Sequence, residues 1–359
     1  MLIFKLDLSI LVMFHFWSSF KLKGIFYKLT RIIFIMRYPV EVFFTFTTKC
    51  NLKCKHCYSN SMAGGKTTEV INILKILKKI RPLRIIVSGG EPFIDFDKLL
   101  NFLKNYKKKY KIDSYVVIAT NATIFDEKKL RKIKPYVDRM QISLDTLSEE
   151  KFIRLRGVNF LNKTIEGIKL AKKLGFDIQI AFSIFRDNLE EVEGIINFCE
   201  KNKIDKINVL RQRPLGRSKP DVSPKEVKET YEKFLRLSND KKIKIIIHDP
   251  IANILGIESE CTAAKESVAV DIEGKFKPCP LFSYSISGKF EDIWYKNEFF
   301  NKIREDINEC KDCEVKHCNG GCRACSWNLY KKLKKDPWCM KGVSQRLKDD
   351  NRSSCAFRT

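Results

Sequence analysis

Three thiols stand within eight residues, Cys50, Cys54 and Cys57, in Thr48-Lys49-Cys50-Asn51-Leu52-Lys53-Cys54-Lys55-His56-Cys57-Tyr58. The run before them, Val42-Phe43-Phe44-Thr45-Phe46-Thr47, is apolar and rich in strand-forming residues. The thiols therefore lie on a tight loop at the end of an expected strand. Three thiolates can hold one metal centre, but they cannot saturate a tetrahedral ion or a four-iron cluster. Either a fourth ligand comes from elsewhere, or one position stays open, as catalytic centres require and structural ones avoid. The spacing of three residues and then two also departs from the two-and-two spacing of zinc hairpins. A zinc site completed by His56 or by a distant residue is the alternative at this point.

Further chemistry-bearing residues follow. Gly89-Gly90-Glu91-Pro92 sits directly after a strand; paired glycines let backbone approach a ligand closely, and proline stiffens the exit. Thr120-Asn121 and Arg211 also close strands, and Arg156 is a weaker candidate for a polar contact. Ser143 and Asp145 alternate with Ile142 and Leu144, so they share one face near a strand end, although Asp145 could equally cap the next helix. A second cysteine set comprises Cys261, Cys279, Cys310, Cys313, Cys318, Cys322, Cys325 and Cys339. Its C-x2-C pairs suit zinc as well as iron–sulfur sites. Cys199 and Cys355 read as plain side chains.

The elements that must position these groups alternate strand and helix, the pattern of a parallel α/β sheet. Strands are expected at 41–47, 83–88, 115–119, 139–145, 177–184 and 206–210, with a further short one at 242–248. Helices are expected near 67–80 (Thr67 or Thr68 as N-cap), 95–109, 126–135, 161–174, 188–202 and 223–238. Six βα units in series predict a partial (β/α)6 TIM-like barrel, with functional loops at the C-terminal strand ends. Every polar group named above between 50 and 211, Arg156 apart, falls at such an end. The expected organisation is an N-terminal extension at 1–36, a barrel at 37–213, a linker at 214–249, and a small cysteine-rich domain at 250–359. That last span holds nine of the 13 cysteines.

Composition bounds the function. The chain of 359 residues is 44% hydrophobic and 31% charged, an ordinary globular balance. Its net charge of +25 suits a polyanionic partner, yet the lysines are scattered and no arginine–aromatic stripe stands out. A lysine-rich solvated surface is the preferred reading, and no nucleic-acid partner is expected. The cysteines are odd in number and cluster as ligands do, which points to metal–sulfur chemistry in a reducing cytoplasm. Four histidines leave little material for a histidine-based hydrolytic site. The apolar run Leu8–Phe20 is too short to span a membrane, and no small-x-small cleavage site follows it. A packed extension, or a start codon placed too early with Met36 as the natural start, is preferred over a membrane-surface anchor.

The C-x3-C-x2-C loop, with His56 where an aromatic residue is usual, and Gly89-Gly90-Glu91 after the next strand together resemble the radical SAM enzymes. Cys261, Gly274 and Cys279, followed by Cys310, Cys313, Cys318, Cys322 and Cys339, resemble the auxiliary-cluster (SPASM) domain of many of them, with four residues rather than five between Cys313 and Cys318. The resemblance spans roughly residues 38–345 and implies a radical SAM barrel followed by an auxiliary iron–sulfur domain. It implies a [4Fe–4S] cluster on Cys50, Cys54 and Cys57 whose open iron chelates S-adenosylmethionine. Gly89, Gly90 and Glu91 would approach the methionyl amine, Ser143 and Asp145 the ribose, and Thr120, Asn121 and Arg211 would offer further contacts. It implies one auxiliary cluster on Cys310, Cys313, Cys318 and Cys339. A second would sit on Cys261, Cys279 and Cys322, with either an open iron or Cys325 as fourth ligand. The implied reaction is reductive cleavage of S-adenosylmethionine to a 5′-deoxyadenosyl radical that abstracts hydrogen from a substrate. The implied substrate is a peptide or protein under maturation, or alternatively a small molecule such as a tetrapyrrole. A low-potential donor such as ferredoxin or flavodoxin would supply the electron. Pro280 follows Cys279 where some relatives carry an Asp, so no catalytic acid or base is assigned. A non-catalytic zinc or nucleic-acid module would leave the six-strand pattern without a purpose.

Overall fold

Apolar side chains on alternate positions build the first strand, β1 (Glu41–Thr47), with Val42, Phe44 and Phe46 fully buried. The computed structural model describes residues 38–341. The expectations for residues 1–36 and for Cys355 lie outside the described residues. From β1 the chain runs through α1 (Val70–Ile80), β2 (Arg84–Gly89), α2 (Phe96–Lys104), β3 (Tyr115–Thr120), α3 (Glu127–Ile133) and β4 (Arg139–Ser143). It continues through α4 (Glu149–Arg156), α5 (Leu161–Lys173), β5 (Asp177–Ile184), α6 (Val192–Lys201), β6 (Lys206–Arg211), α7 (Pro224–Ser238) and β7 (Lys244–Ile246). After residue 250 come β8 (Ser267–Val270), β9 (Phe276–Lys277), α8 (Phe290–Lys296), α9 (Glu298–Arg304) and α10 (Arg323–Tyr330).

The strands form one sheet in the order β7-β6-β5-β4-β3-β2-β1-β8-β9. Every neighbouring pair is parallel except β8 with β9. This is the partial (β/α)6 architecture, and it explains the strand composition: a parallel sheet under crossover helices is apolar on its covered face. Phe102 of α2 packs on that face, with its ring 5.3 Å from Phe44. Met140, Ile142, Ile178 and Ile180 are buried on it too. β8 pairs with β1, so the chain after residue 250 returns to the sheet edge beside the first cysteine loop.

The structure differs from expectation in several places. α4 is not among the expected helices; it is only eight residues long, starts where Ser148 Oγ accepts from Lys151 N at 3.5 Å, and stops at Gly157 with φ 79°. α1 starts at Val70, so neither Thr67 nor Thr68 caps it. Thr67 Oγ1 bonds Asp95 instead, and Thr68 Oγ1 donates to Ile272 O at 3.0 Å. The helix expected over 95–109 is regular only over Phe96–Lys104, then widens to a π-turn at Asn105–Lys109. β4 ends at Ser143, so Asp145 lies beyond the strand.

Candidate active site and cysteine clusters

The loop after β1 is held from three sides by backbone. On one side, Gly90 N donates to Thr47 O at 2.7 Å and Glu91 N to Lys49 O at 2.8 Å. This contact requires glycine: a Cβ on Gly90 would lie 2.0 Å from Lys49 O, and Gly89 adopts φ +138° with Thr47 O where its Cβ would be. On a second side, the end of α4 accepts Lys53 N at Arg156 O (2.9 Å) and Lys55 N at Leu155 O (3.1 Å). On the third, Arg217 N donates to Cys57 O at 3.0 Å, and the Arg217 guanidinium reaches Cys54 O and Ser61 O, both at 3.0 Å.

Each of the three sulfurs meets a donor. Leu52 N lies 3.4 Å from Cys50 Sγ, Ser61 N lies 3.4 Å from Cys57 Sγ, and Arg156 Nη1 lies 3.7 Å from Cys54 Sγ. Such donors favour thiolates, and thiolates are what iron binds. Burial works the other way, pushing the free Cys50 thiol up to about 12 and Cys54 upward too. Bound metal would supply the charge that releases those protons. The donor set therefore fits a cluster. His56 packs its ring 4.5 Å from that of Phe185; burial depresses its pKa, and its Nδ1 has no partner among the described residues.

The strand-end residues divide. Glu91 is fully buried and accepts from Thr120 Oγ1 (2.8 Å), Asn121 N (2.7 Å) and Phe93 N (3.1 Å). Burial pushes its carboxyl up to about 7 against the pull of those donors. Its carboxylate thus ties β2 to β3. Asn121, Asn51 and Thr123 close a ring of side-chain hydrogen bonds at 2.7–2.9 Å, which fixes Asn51 inside the cysteine loop. Ser143 is half-buried beside Ala181 of β5. Asp145, expected to share its role, instead pairs with Arg156 and accepts Ser183 N at 2.8 Å, because the strand has ended before it. It therefore orients the guanidinium that touches Cys54. Arg211 is likewise committed elsewhere: its guanidinium reaches Asp249 (2.8 Å), Asp336 (2.7 Å) and Cys325 Sγ (3.6 Å). Sequence reasoning missed Arg213, Arg217, Asp249 and Asp336. The arginine run after β6 was the available signal for the first two; the aspartates carried none.

The C-terminal cysteines fall into two groups. Cys322 and Cys325 are free thiols on one helical turn, with Cys325 N donating to Cys322 O at 3.1 Å, and negative charge on Cys322 would push up the thiols of both Cys261 and Cys279. Cys310, Cys313, Cys318 and Cys339 line a cavity of about 450 Å³ with Lys311 and Lys335. A bowl edged by four thiols suits a four-iron cluster.

The Radical SAM superfamily profile matches residues 44–199, the span from β1 through α6. Residues 44–199 form a radical SAM domain, and the chain is an enzyme. Its cysteine-rich C-terminal segment extends beyond that match. An AdoMet-dependent heme synthase of Methanosarcina barkeri is 27% identical over 342 residues, covering 84% of this chain and 96% of that protein. The mycofactocin maturase MftC of Mycolicibacterium smegmatis is 24% identical over 341 residues, covering 85% and 83%. Among solved structures, SuiB of Streptococcus suis bound to S-adenosylmethionine aligns with TM-score 0.69 at 19% identity, over 90% of this chain and 83% of that one. anSMEcpe with bound AdoMet aligns with TM-score 0.68 at 18% identity, over 85% and 95%. The cofactors of that domain are accordingly S-adenosylmethionine and a [4Fe–4S] cluster. No helix among the described residues is long and apolar enough to cross a membrane.

Proposed function

We propose that the enzyme modifies a peptide or protein substrate by hydrogen abstraction. Cys50, Cys54 and Cys57 hold the cluster that binds S-adenosylmethionine, which supplies the radical chemistry. Gly89 and Gly90 bring the next strand end against the cysteine loop, Glu91 fixes Thr120 and Asn121, and Arg156 orients Cys54. Residues 250–359 act as an auxiliary-cluster domain, with the outer cluster on Cys310, Cys313, Cys318 and Cys339. A low-potential ferredoxin or flavodoxin supplies the electron.

The observation that carries the substrate class is on the inner face of the sheet, opposite the buried Met140 and Ile142. Gln141 of β4 and Gln179 of β5 are register partners there, and Asn208 of β6 lies one row further on beside Ala181. Neither glutamine side chain makes a hydrogen bond among the described residues, and Asn208 Oδ1 is buried without a partner. Buried amides are ordinarily satisfied, so Asn208 calls for a ligand or ordered water, and the half-buried Gln141 and the buried Gln179 extend the row beside it. An amide both donates and accepts, which matches a peptide group. The cations on the same face, Arg139 and Lys206, are taken up by Asp177 at 2.8 and 3.0 Å. A carboxylate-rich substrate would find no free cation in that row.

A small-molecule reading has its own support, the similarity to a heme synthase along nearly that protein's whole length. The two separate in one assay. The anaerobically reconstituted chain is given S-adenosylmethionine and reductant, with either peptides encoded beside its gene or a tetrapyrrole tetracarboxylate. A mass change in a peptide, coupled to 5′-deoxyadenosine, is expected. Decarboxylation of the tetrapyrrole would overturn the peptide reading.

A further inference from the structure

We propose that the outer face of the first cysteine loop, around Met62 and Gly216, is the docking site of an acidic redox protein that delivers the electron there. The proposal rests on the assignment of a cluster to Cys50, Cys54 and Cys57, and deepens it by placing the donor. The barrel side of the loop is left to S-adenosylmethionine and substrate, so the donor must arrive from outside.

Two thin segments cover the loop on that side. The first is 59–66. Cys50 N donates to Met62 O and Met62 N to Thr48 O, both at 3.0 Å, so Met62 lies directly on the loop. Its side chain is nevertheless 56% exposed. The second segment is 214–218. Gly216 is exposed, and a Cβ on it would lie 2.5 Å from Cys57 O and Tyr58 O. One residue therefore separates solvent from the backbone of a loop cysteine. Arg217 Nη2 donates to Ser61 O at 3.0 Å and joins the two segments, which makes Met62 and Gly216 parts of one surface.

The charge of that surface is one-sided. Residues 48–66 and 211–220 contain lysine and arginine but no Asp or Glu. Lys53, Lys66 and Lys219 are exposed and form no ion pair among the described residues. An ordinary solvated lysine face differs: on α7, Lys225 and Lys228 are matched by Glu229 and Glu232, each pair at 3.8 Å. A bare apolar side chain inside a basic rim without carboxylates suits an acidic protein. The rim steers the encounter, and Met62 supplies the dry contact at its centre. At that contact the donor loses one electron and the cluster gains it; no bond forms or breaks.

The test uses the anaerobically reconstituted full chain with an acidic flavodoxin as the probe. Binding of oxidised flavodoxin is measured by calorimetry at low and high salt. Formation of 5′-deoxyadenosine is timed with reduced flavodoxin and with dithionite. The parent should bind flavodoxin at low salt and lose that binding at high salt. Met62→Asp, and separately Lys66→Glu with Lys219→Glu, should slow the flavodoxin-driven rate by about tenfold or more at low salt. Both should keep the parent's rate with dithionite. Lys225→Glu with Lys228→Glu changes the net charge by the same amount on α7 and should match the parent. Equal slowing by the α7 pair overturns the assignment, because overall charge would then explain it. A flavodoxin-driven rate untouched by both loop variants overturns it as well, as does equal slowing with dithionite, which would place the damage in the cluster. No binding of flavodoxin by the parent at low salt would remove the acidic partner. A parent that dithionite cannot reduce would instead overturn the cluster assignment beneath the proposal.

Discussion

The first cysteine loop and the inner C-terminal group solve opposite problems with the same side chain. At 50–57 the three thiols are adjacent in sequence, and the surrounding strand ends grip the loop through its backbone. Cys50 and Cys57 remain partly exposed, and each accepts from a backbone N–H group. Cys261, Cys279 and the neighbouring pair Cys322 and Cys325 come from three separate segments. The guanidiniums on two of them, Arg211 and Arg213, are locked by the buried Asp249, and Arg211 also by Asp336. A contiguous loop leaves one side free for a cofactor, whereas ligands gathered from several segments surround what they hold. The contrast implies that the first site is made to exchange a ligand and the second to keep its own.

The largest test of that contrast is Cys54→Ala. Cys54 is the most buried of the three loop thiols and the one tied to Arg156. The variant should lose the first cluster and all 5′-deoxyadenosine formation, measured by chromatography, while auxiliary iron stays. Residual S-adenosylmethionine cleavage would refute the assignment. Arg156→Met probes the support beneath it. The Asp145–Arg156 pair is buried on both sides, and removing one partner of such a pair costs about 3–5 kcal/mol. Urea unfolding of the cluster-free protein should show that loss. A change below about 1 kcal/mol, the level of exposed pairs, would mean that solvent already reaches Asp145.

Glu91 gives a smaller, pH-dependent effect. Burial raises its folded-state carboxyl to about 7, so the folded chain holds a proton that the unfolded chain releases at lower pH. Stability therefore falls as pH rises from the ordinary carboxyl range to about 7. Each pH step of one across that window costs about 1.4 kcal/mol, and the whole fall is about 3 kcal/mol. Glu91→Gln stays neutral and should flatten that slope in urea midpoints taken across the window. A slope that survives the substitution must belong to another group.

How much of this was legible in the sequence follows the same division. β1 and β5 lie where alternation placed them, because a parallel sheet under helices leaves a long apolar signal. The loop chemistry at 50–57 was visible because its ligands are neighbours in the chain. Arg156 carried only a weak signal, because it acts on a sulfur 102 residues away from the end of an eight-residue helix with little apolar character. Asp145 and Arg211 read as cofactor contacts from their place near strand ends. Their buried partners, Arg156 for one and Asp249 with Asp336 for the other, come from elements whose proximity only the fold creates.

Arg213 sharpens the comparison on the other side. Its Nε lies 3.4 Å from Cys322 Sγ, and its side chain is held by Asp249 at 3.1 Å. Donors to a cluster thiolate stabilise the more negative, reduced state and so raise the reduction potential. Arg213→Met should lower the potential of the inner auxiliary cluster by an amount on the order of tens of millivolts, read by EPR redox titration. The first site meets a different guanidinium, Arg156 at Cys54, and should keep its potential in the same sample. Arg213→Lys keeps the charge but not the planar fork, so it should fall between the two. Equal shifts at both clusters would point to a loosened fold, and no shift at either would remove the guanidinium from any role in tuning the cluster. Only a shift confined to the inner cluster fits a site whose ligands are fixed and whose surroundings set its potential.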